Sequence, residues 1–251
     1  MRTLTPLLLA ALFPVASSFA QSVANPQLFG AANTKTFPYS MVGQLYFTSG
    51  NQDYQGSGTV VYKRSVLTAA HNLWDADNGW TYNLEFNRAR SGRTIAKKTY
   101  SSRSFVLGGY QSYAGRFGPD SVRAFAYDMG GLRFADQPAD GSYAGWKADT
   151  RLLNGNTYNI CLGYGAEVHT GDDMLFVEPT DGFTSTYSAF FENTSLTFEG
   201  GMSGGPVFAR LTNGSLSIAG IVVAGSDDPP TGGIRALNPL AAQFISVYLH
   251  Y

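Results

Sequence analysis

Few side chains in this sequence can do acid–base or nucleophilic chemistry near neutral pH. The 251 residues hold three histidines, His71, His169 and His250, and one cysteine, Cys161. A serine hydroxyl becomes a nucleophile only beside a base, so the serines to weigh are those set in unusual backbone. Ser203 is one: it lies in GGMSGGPVF, residues 200–208, among four glycines and a proline. Two readings fit that stretch. One is a glycine-rich hairpin loop. The other is a loop whose backbone N–H groups must approach a reacting atom, which a Cβ would obstruct.

The histidines differ in setting. His71 ends the apolar run SVLTAAH, at a strand end or tight turn where a ring is held yet reachable. His169, in GAEVHTGDD, reads as a surface residue, and His250 is penultimate. A base of this kind works best when a buried carboxylate accepts from its other ring nitrogen. Asp128 ends VRAFAYD and precedes MGGLRF, so it is either that carboxylate or a turn-capping aspartate. Asp75, Asp77 and Asp120 sit in polar loops and read as solvated. Cys161, in YNICLGYG, reads as a buried, inert thiol.

Short β-like runs must position these groups. MVGQLYFT, GTVVYK, SVLTAA, WTYNLEF, SFVLGGY, VRAFAY and MGGLRF come first; TYNICLGYG, DMLFVEP, STYSAFFE, GPVFARL and SLSIAGIVVAG follow a turn-rich stretch at 136–156. Their lengths suit closed sheets. Only the end reads as helical: Asn238 can cap, Pro239 suits the first position, and Leu240, Phe244, Ile245 and Tyr248 recur at helical spacing. The first 20 residues, with Arg2, an apolar Leu7–Val15 stretch, and Ser18 and Ala20, read as a cleavable secretory signal. Residues 21–38 read as a pro-segment or arm.

Composition narrows the function classes. With 17 basic against 18 acidic residues and no like-charge block, the chain lacks the basic face of a nucleic-acid or membrane-surface binder. One cysteine rules out an intramolecular disulfide. Scattered histidines give no zinc spacing, and Asp172–Asp173 and Asp227–Asp228 read as solvated loop acids, so no metal or cofactor is expected.

VLTAAHNLW, YDMGGLRF and GGMSGGPVF, in the order His, Asp, Ser, resemble the signature segments of chymotrypsin-like (trypsin-like) serine proteases. The opening FPYSMVGQLYF, the lack of paired cysteines and the ending ALNPLAAQFISVYLH are most similar to the secreted, disulfide-poor branch that contains glutamyl endopeptidases. The resemblance implies an all-β fold of two six-stranded antiparallel barrels, at about 39–140 and 150–236, followed by a helix at about 238–249. It implies His71, Asp128 and Ser203 as a catalytic triad, an oxyanion hole of the Gly201 and Ser203 N–H groups, and substrate contacts at Thr197, Phe198, Val222, Val223 and Gly225. The expected activity is a secreted serine endopeptidase (extracellular, or periplasmic in a Gram-negative host), acting as a monomer on protein or peptide substrates. The alternatives are a glutamyl-specific enzyme and an inactive homologue that binds proteins. Met202 replaces the aspartate of the trypsin-type GDSGGP pattern, so the same zymogen switch is not expected. Val222 stands where glutamyl endopeptidases place a histidine, and Phe198 where they place a small hydroxyl residue, which points to a neutral, small or apolar substrate side chain. The G-x-S-x-G spacing of Gly201–Gly205 also fits a hydrolase elbow, but the early histidine and surrounding strands do not.

Overall fold

The computed structural model describes residues 23–250, so the expected signal segment lies outside the described residues. The chain opens with β1 (Gln27–Leu28) and a short α1 (Ala31–Thr34). Six strands then build a closed antiparallel barrel: β2 (Val42–Ser49), β3 (Gln52–Tyr62), β4 (Ser65–Thr68), and, after the small hairpin of β5 (Trp74–Asp75) and β6 (Gly79–Trp80), β7 (Tyr82–Arg88), β8 (Lys97–Val106) and β9 (Gly130–Phe134). Barrel closure turns alternate residues inward. Val60, Leu67, Phe86 and Leu132 are fully buried there. Gly43 lies where any Cβ would run into the Phe86 ring, so the smallest residue makes room for one of the largest.

Between β8 and β9 the chain leaves the barrel. It forms α2 (Tyr110–Phe117) and α3 (Val122–Phe125), the latter where VRAFAY reads as a strand in the sequence. Ser121 Oγ accepts from the Ala124 N–H at 3.2 Å and starts α3 as an N-cap. The apolar residues of VRAFAY therefore follow one turn of helix. Phe125 packs on Phe190 across the molecule, with ring centroids 5.1 Å apart.

The second half contains β10 (Asn159–Gly163), β11 (Leu175–Val177), β12 (Thr184–Tyr187), β13 (Phe190–Asn193), β14 (Pro206–Arg210), β15 (Leu216–Asp227) and β16 (Pro230–Ala236). With β1 they form one eight-stranded sheet in the order β1-β11-β10-β14-β15-β16-β13-β12. The expected second six-stranded barrel corresponds to this large sheet, which carries eight strands. The N-terminal arm lengthens one end, and the β12–β13 hairpin lengthens the other. STYSAFFE folds into that hairpin because Ser188, at φ 52°, turns the chain inside the run. Cys161, Val207, Val222 and Ile234 pack in its core, and burial pushes the Cys161 thiol well above its ordinary range.

α4 (Pro239–Phe244) follows, with Asn238 Oδ1 accepting from the Ala241 N–H at 3.0 Å and Pro239 in the first turn. A wider helical turn, Ile245–Leu249, continues it onto the barrel, where Ser65 Oγ donates to the Leu249 carbonyl at 2.7 Å. Among the described residues, no helix is long and apolar enough to cross a membrane.

The arm at 23–38 is built into the sheet. Ala24 N–H donates to Ser195 O at 2.8 Å, and Thr197 N–H donates to Ala24 O at 3.1 Å. Farther along, Gln27 and Leu28 pair with β11.

Candidate active site

A cleft of about 920 Å³ runs between the two halves and is lined by His71 and Ser203. His71 lies on a tight turn, Ala70–Asn72, directly after β4. Its ring Nδ1 is 2.5 Å from Asp128 Oδ2, and its backbone N–H donates to Asp128 Oδ1 at 3.0 Å. Asp128 is 0 % exposed, between α3 and β9. Burial of His71 disfavours the imidazolium, but the charge and hydrogen bond of Asp128, helped by the charge of Asp120, outweigh it and raise the His71 pKa above its ordinary value. Arg235, also fully buried, donates to Ala236 O and, at 3.2 Å, to Asn238 Oδ1. Burial pulls its pKa down to about 10, while the Asp128 charge acts in the opposite direction.

Ser203 is fixed through its backbone. Its carbonyl accepts from Ser57 N–H at 2.8 Å and from Asn72 Nδ2 at 3.0 Å, so the residue after His71 holds Ser203 beside it. Among the described residues, no hydrogen bond joins Ser203 Oγ to the His71 ring.

The loop leading to Ser203 needs its glycines. Gly201 has φ 97°, and a Cβ there would stand 2.5 Å from Tyr164 O. Gly204, at φ 85°, would drive a Cβ into Thr68 Oγ1 and Ser57 O. Among the described residues, neither the Gly201 N–H nor the Ser203 N–H has an acceptor, whereas neighbouring groups are bonded: Ser57 Oγ donates to Gly201 O at 2.7 Å, and Met202 N–H donates to Glu199 O at 3.0 Å. Two unbonded N–H groups beside a serine can receive a developing negative charge.

The other residues expected at the site divide. Phe198, Val222, Val223 and Gly225 line the cleft. Thr197 is not among the cleft-lining residues: it is buried, and its hydroxyl donates to Asn25 Oδ1 at 3.3 Å. β15 is paired with β14 only as far as Ile221, so Val223 to Gly225 present an open strand edge to the cleft. Phe198 is 6 % exposed, and a Cβ at Gly232, which pairs with Gly225, would meet its ring at 2.8 Å. The ring therefore packs on Gly232, while the Phe198 backbone packs on Gly225.

Sequence reasoning misses one pair of residues at this wall. His169 is not a plain surface residue: its Nδ1 lies 2.6 Å from Oε1 of Glu199, which lines the cleft. Thirty positions separate the pair, and no local pattern announces such a contact.

No family model matches the chain. An extracellular metalloprotease from Bacillus subtilis (strain 168) is 27 % identical over 119 residues, which are 46 % of this chain and 34 % of that protein, so the match spans about a third of the relative's length. Among the described residues, no three His, Cys, Asp or Glu side chains are gathered as metal ligands, so the residues present do not fit the metal that the relative's name implies. Solved structures give a broader match. A Glu endopeptidase in complex with MPD superposes with a TM-score of 0.70 at 18 % identity, covering 88 % of this chain and 94 % of that one. The protease Anisep from Arthrobacter nicotinovorans gives 0.63 at 18 %, covering 82 % and 94 %. The thermostable serine protease AL20, from an extremophilic microorganism, gives 0.66 at 19 %, covering 81 % and 94 %. These likenesses establish the chymotrypsin-like fold, with one closed barrel, a second large sheet and a terminal helix.

Proposed function

We propose that this protein is a serine endopeptidase that hydrolyses peptide bonds through an acyl-enzyme, exported by its first 20 residues and acting as a monomer. One observation carries the reading: a fully buried carboxylate holds the His71 ring at 2.5 Å, in the cleft that also receives Ser203. His71 takes the Ser203 proton as Oγ attacks the peptide carbonyl, and the Gly201 and Ser203 N–H groups receive the oxyanion. His71 then protonates the leaving amine. Water, activated by the same ring, releases the acyl group. Asp128 stays ionised throughout and stabilises the imidazolium.

The substrate backbone adds a strand to the open edge at Val223–Gly225. With Phe198 filling the end of the cleft and Val222 supplying no charge, the side chain before the cleaved bond is neutral and small. This differs from the preference named for the Glu endopeptidase. Labelling by a fluorophosphonate together with peptide-library hydrolysis tests the reading. The wild type should do both, and Ser203→Ala neither, with an unchanged circular dichroism spectrum. Hydrolysis retained by Ser203→Ala would overturn the reading. An unreactive, folded wild type would instead favour a protein-binding homologue.

A further inference from the structure

Glu199 is held unusually well for a residue on a cleft wall. Its side chain is 8 % exposed, and a carboxylate that deep needs several partners. It has three, all from the 168–169 turn: His169 Nδ1 at 2.6 Å, and the N–H groups of Val168 and His169 at 3.3 Å each. The backbones are joined as well, because Ala166 N–H donates to Gly200 O at 2.8 Å. Gly165 permits the approach: a Cβ there would stand 2.7 Å from Glu199 Cβ.

A trans peptide is planar, and its C=O and N–H point in opposite directions. Tying the Gly200 carbonyl to Ala166 therefore aims the Gly201 N–H away from the 166–169 turn. We propose that His169 and Glu199 are positioning residues whose contact clamps that turn onto residues 199–201 and so keeps the Gly201 N–H aimed at the developing oxyanion. This rests on the hydrolase reading above. An exposed contact of this type would contribute little. This one is largely buried on the Glu199 side and lies one residue from the peptide it orients. Misplacing an oxyanion donor by about 1 Å costs on the order of a hundredfold in rate.

The experiment compares wild type, His169→Ala and His169→Asn by steady-state kinetics, fluorophosphonate labelling, amide hydrogen exchange at residues 200–203 and thermal melting. His169→Ala should lower kcat by about tenfold to a hundredfold while KM stays within about twofold, with faster exchange in the loop. His169→Asn, whose side-chain N–H can replace Nδ1, should recover most of the loss. Retention of kcat within about twofold would overturn the proposal. So would a rise in KM alone, which would make Glu199 a substrate contact, or a loss that follows the melting temperature and is not rescued by asparagine. An unlabelled wild type would end the hydrolase reading, and exchange would then judge the clamp by itself: faster exchange in His169→Ala upholds it, and unchanged exchange ends it.

Discussion

The closed barrel and the eight-stranded sheet supply their parts of the cleft by different means. The barrel half delivers side chains: His71 and Asp128 are joined directly, and Asn72 reaches across to the Ser203 carbonyl. The sheet half delivers the Ser203 hydroxyl together with backbone: the N–H groups of Gly201 and Ser203, and the open edge of β15. In the proposed mechanism the first half depends on which functional group is present. The second depends, besides the Ser203 hydroxyl, on which way a peptide points. Isosteric changes should therefore be most damaging in the barrel half, and added bulk most damaging in the loop.

The sharpest test is Asp128→Asn, which keeps the shape and removes the charge. We expect kcat to fall by about 10⁴, measured on an unselected peptide mixture. A loss below about tenfold would place the carboxylate outside the mechanism. Gly201→Ala tests the sheet half: a Cβ against Tyr164 O must move the peptide, lowering kcat by about 10²–10³ with Ser203 untouched. Phe198→Ser should open the space beside Gly232, raising cleavage after large apolar residues by roughly 10–200-fold in a library profile. Gly43→Ala leaves the cleft alone and crowds Phe86. It should lower stability by about 1–3 kcal/mol in urea unfolding, with kcat unchanged.

The pH profile separates the halves again. His71 must be neutral to accept a proton, and its pKa is raised, so kcat/KM should climb with pH to a midpoint above the ordinary value of about 6.5. Its effect on stability runs the other way. A raised folded pKa stabilises fully below the unfolded value, and that contribution is lost as pH rises through the folded one. Urea titrations of wild type and His71→Gln across this interval should show the wild type losing its advantage as activity appears.

The two halves are unequally legible in the sequence. His71 and Ser203 stand in short stretches whose types and order carry their own signal, and the barrel strands follow apolar runs. β16 escapes sequence reasoning because PTGGIRA has two glycines where a strand usually shows apolar residues. Its room is set by Phe190, Leu196 and Phe198, which are distant in sequence. The helix just before Asp128, α3, resembles a strand in sequence because four residues are too few to show a period. Its only local sign is the Ser121 cap. Glu199 with His169, and Thr197 with Asn25, are contacts between remote segments that no local window contains.

The arm that begins at Ala24 has one more consequence. The two backbone hydrogen bonds of Ala24 grip Ser195 and Thr197, the residues that lead into Phe198 and the cleft loop. A chain trimmed beyond Ala24 would lose both bonds and, with them, this anchor of the segment that runs into the Ser203 loop.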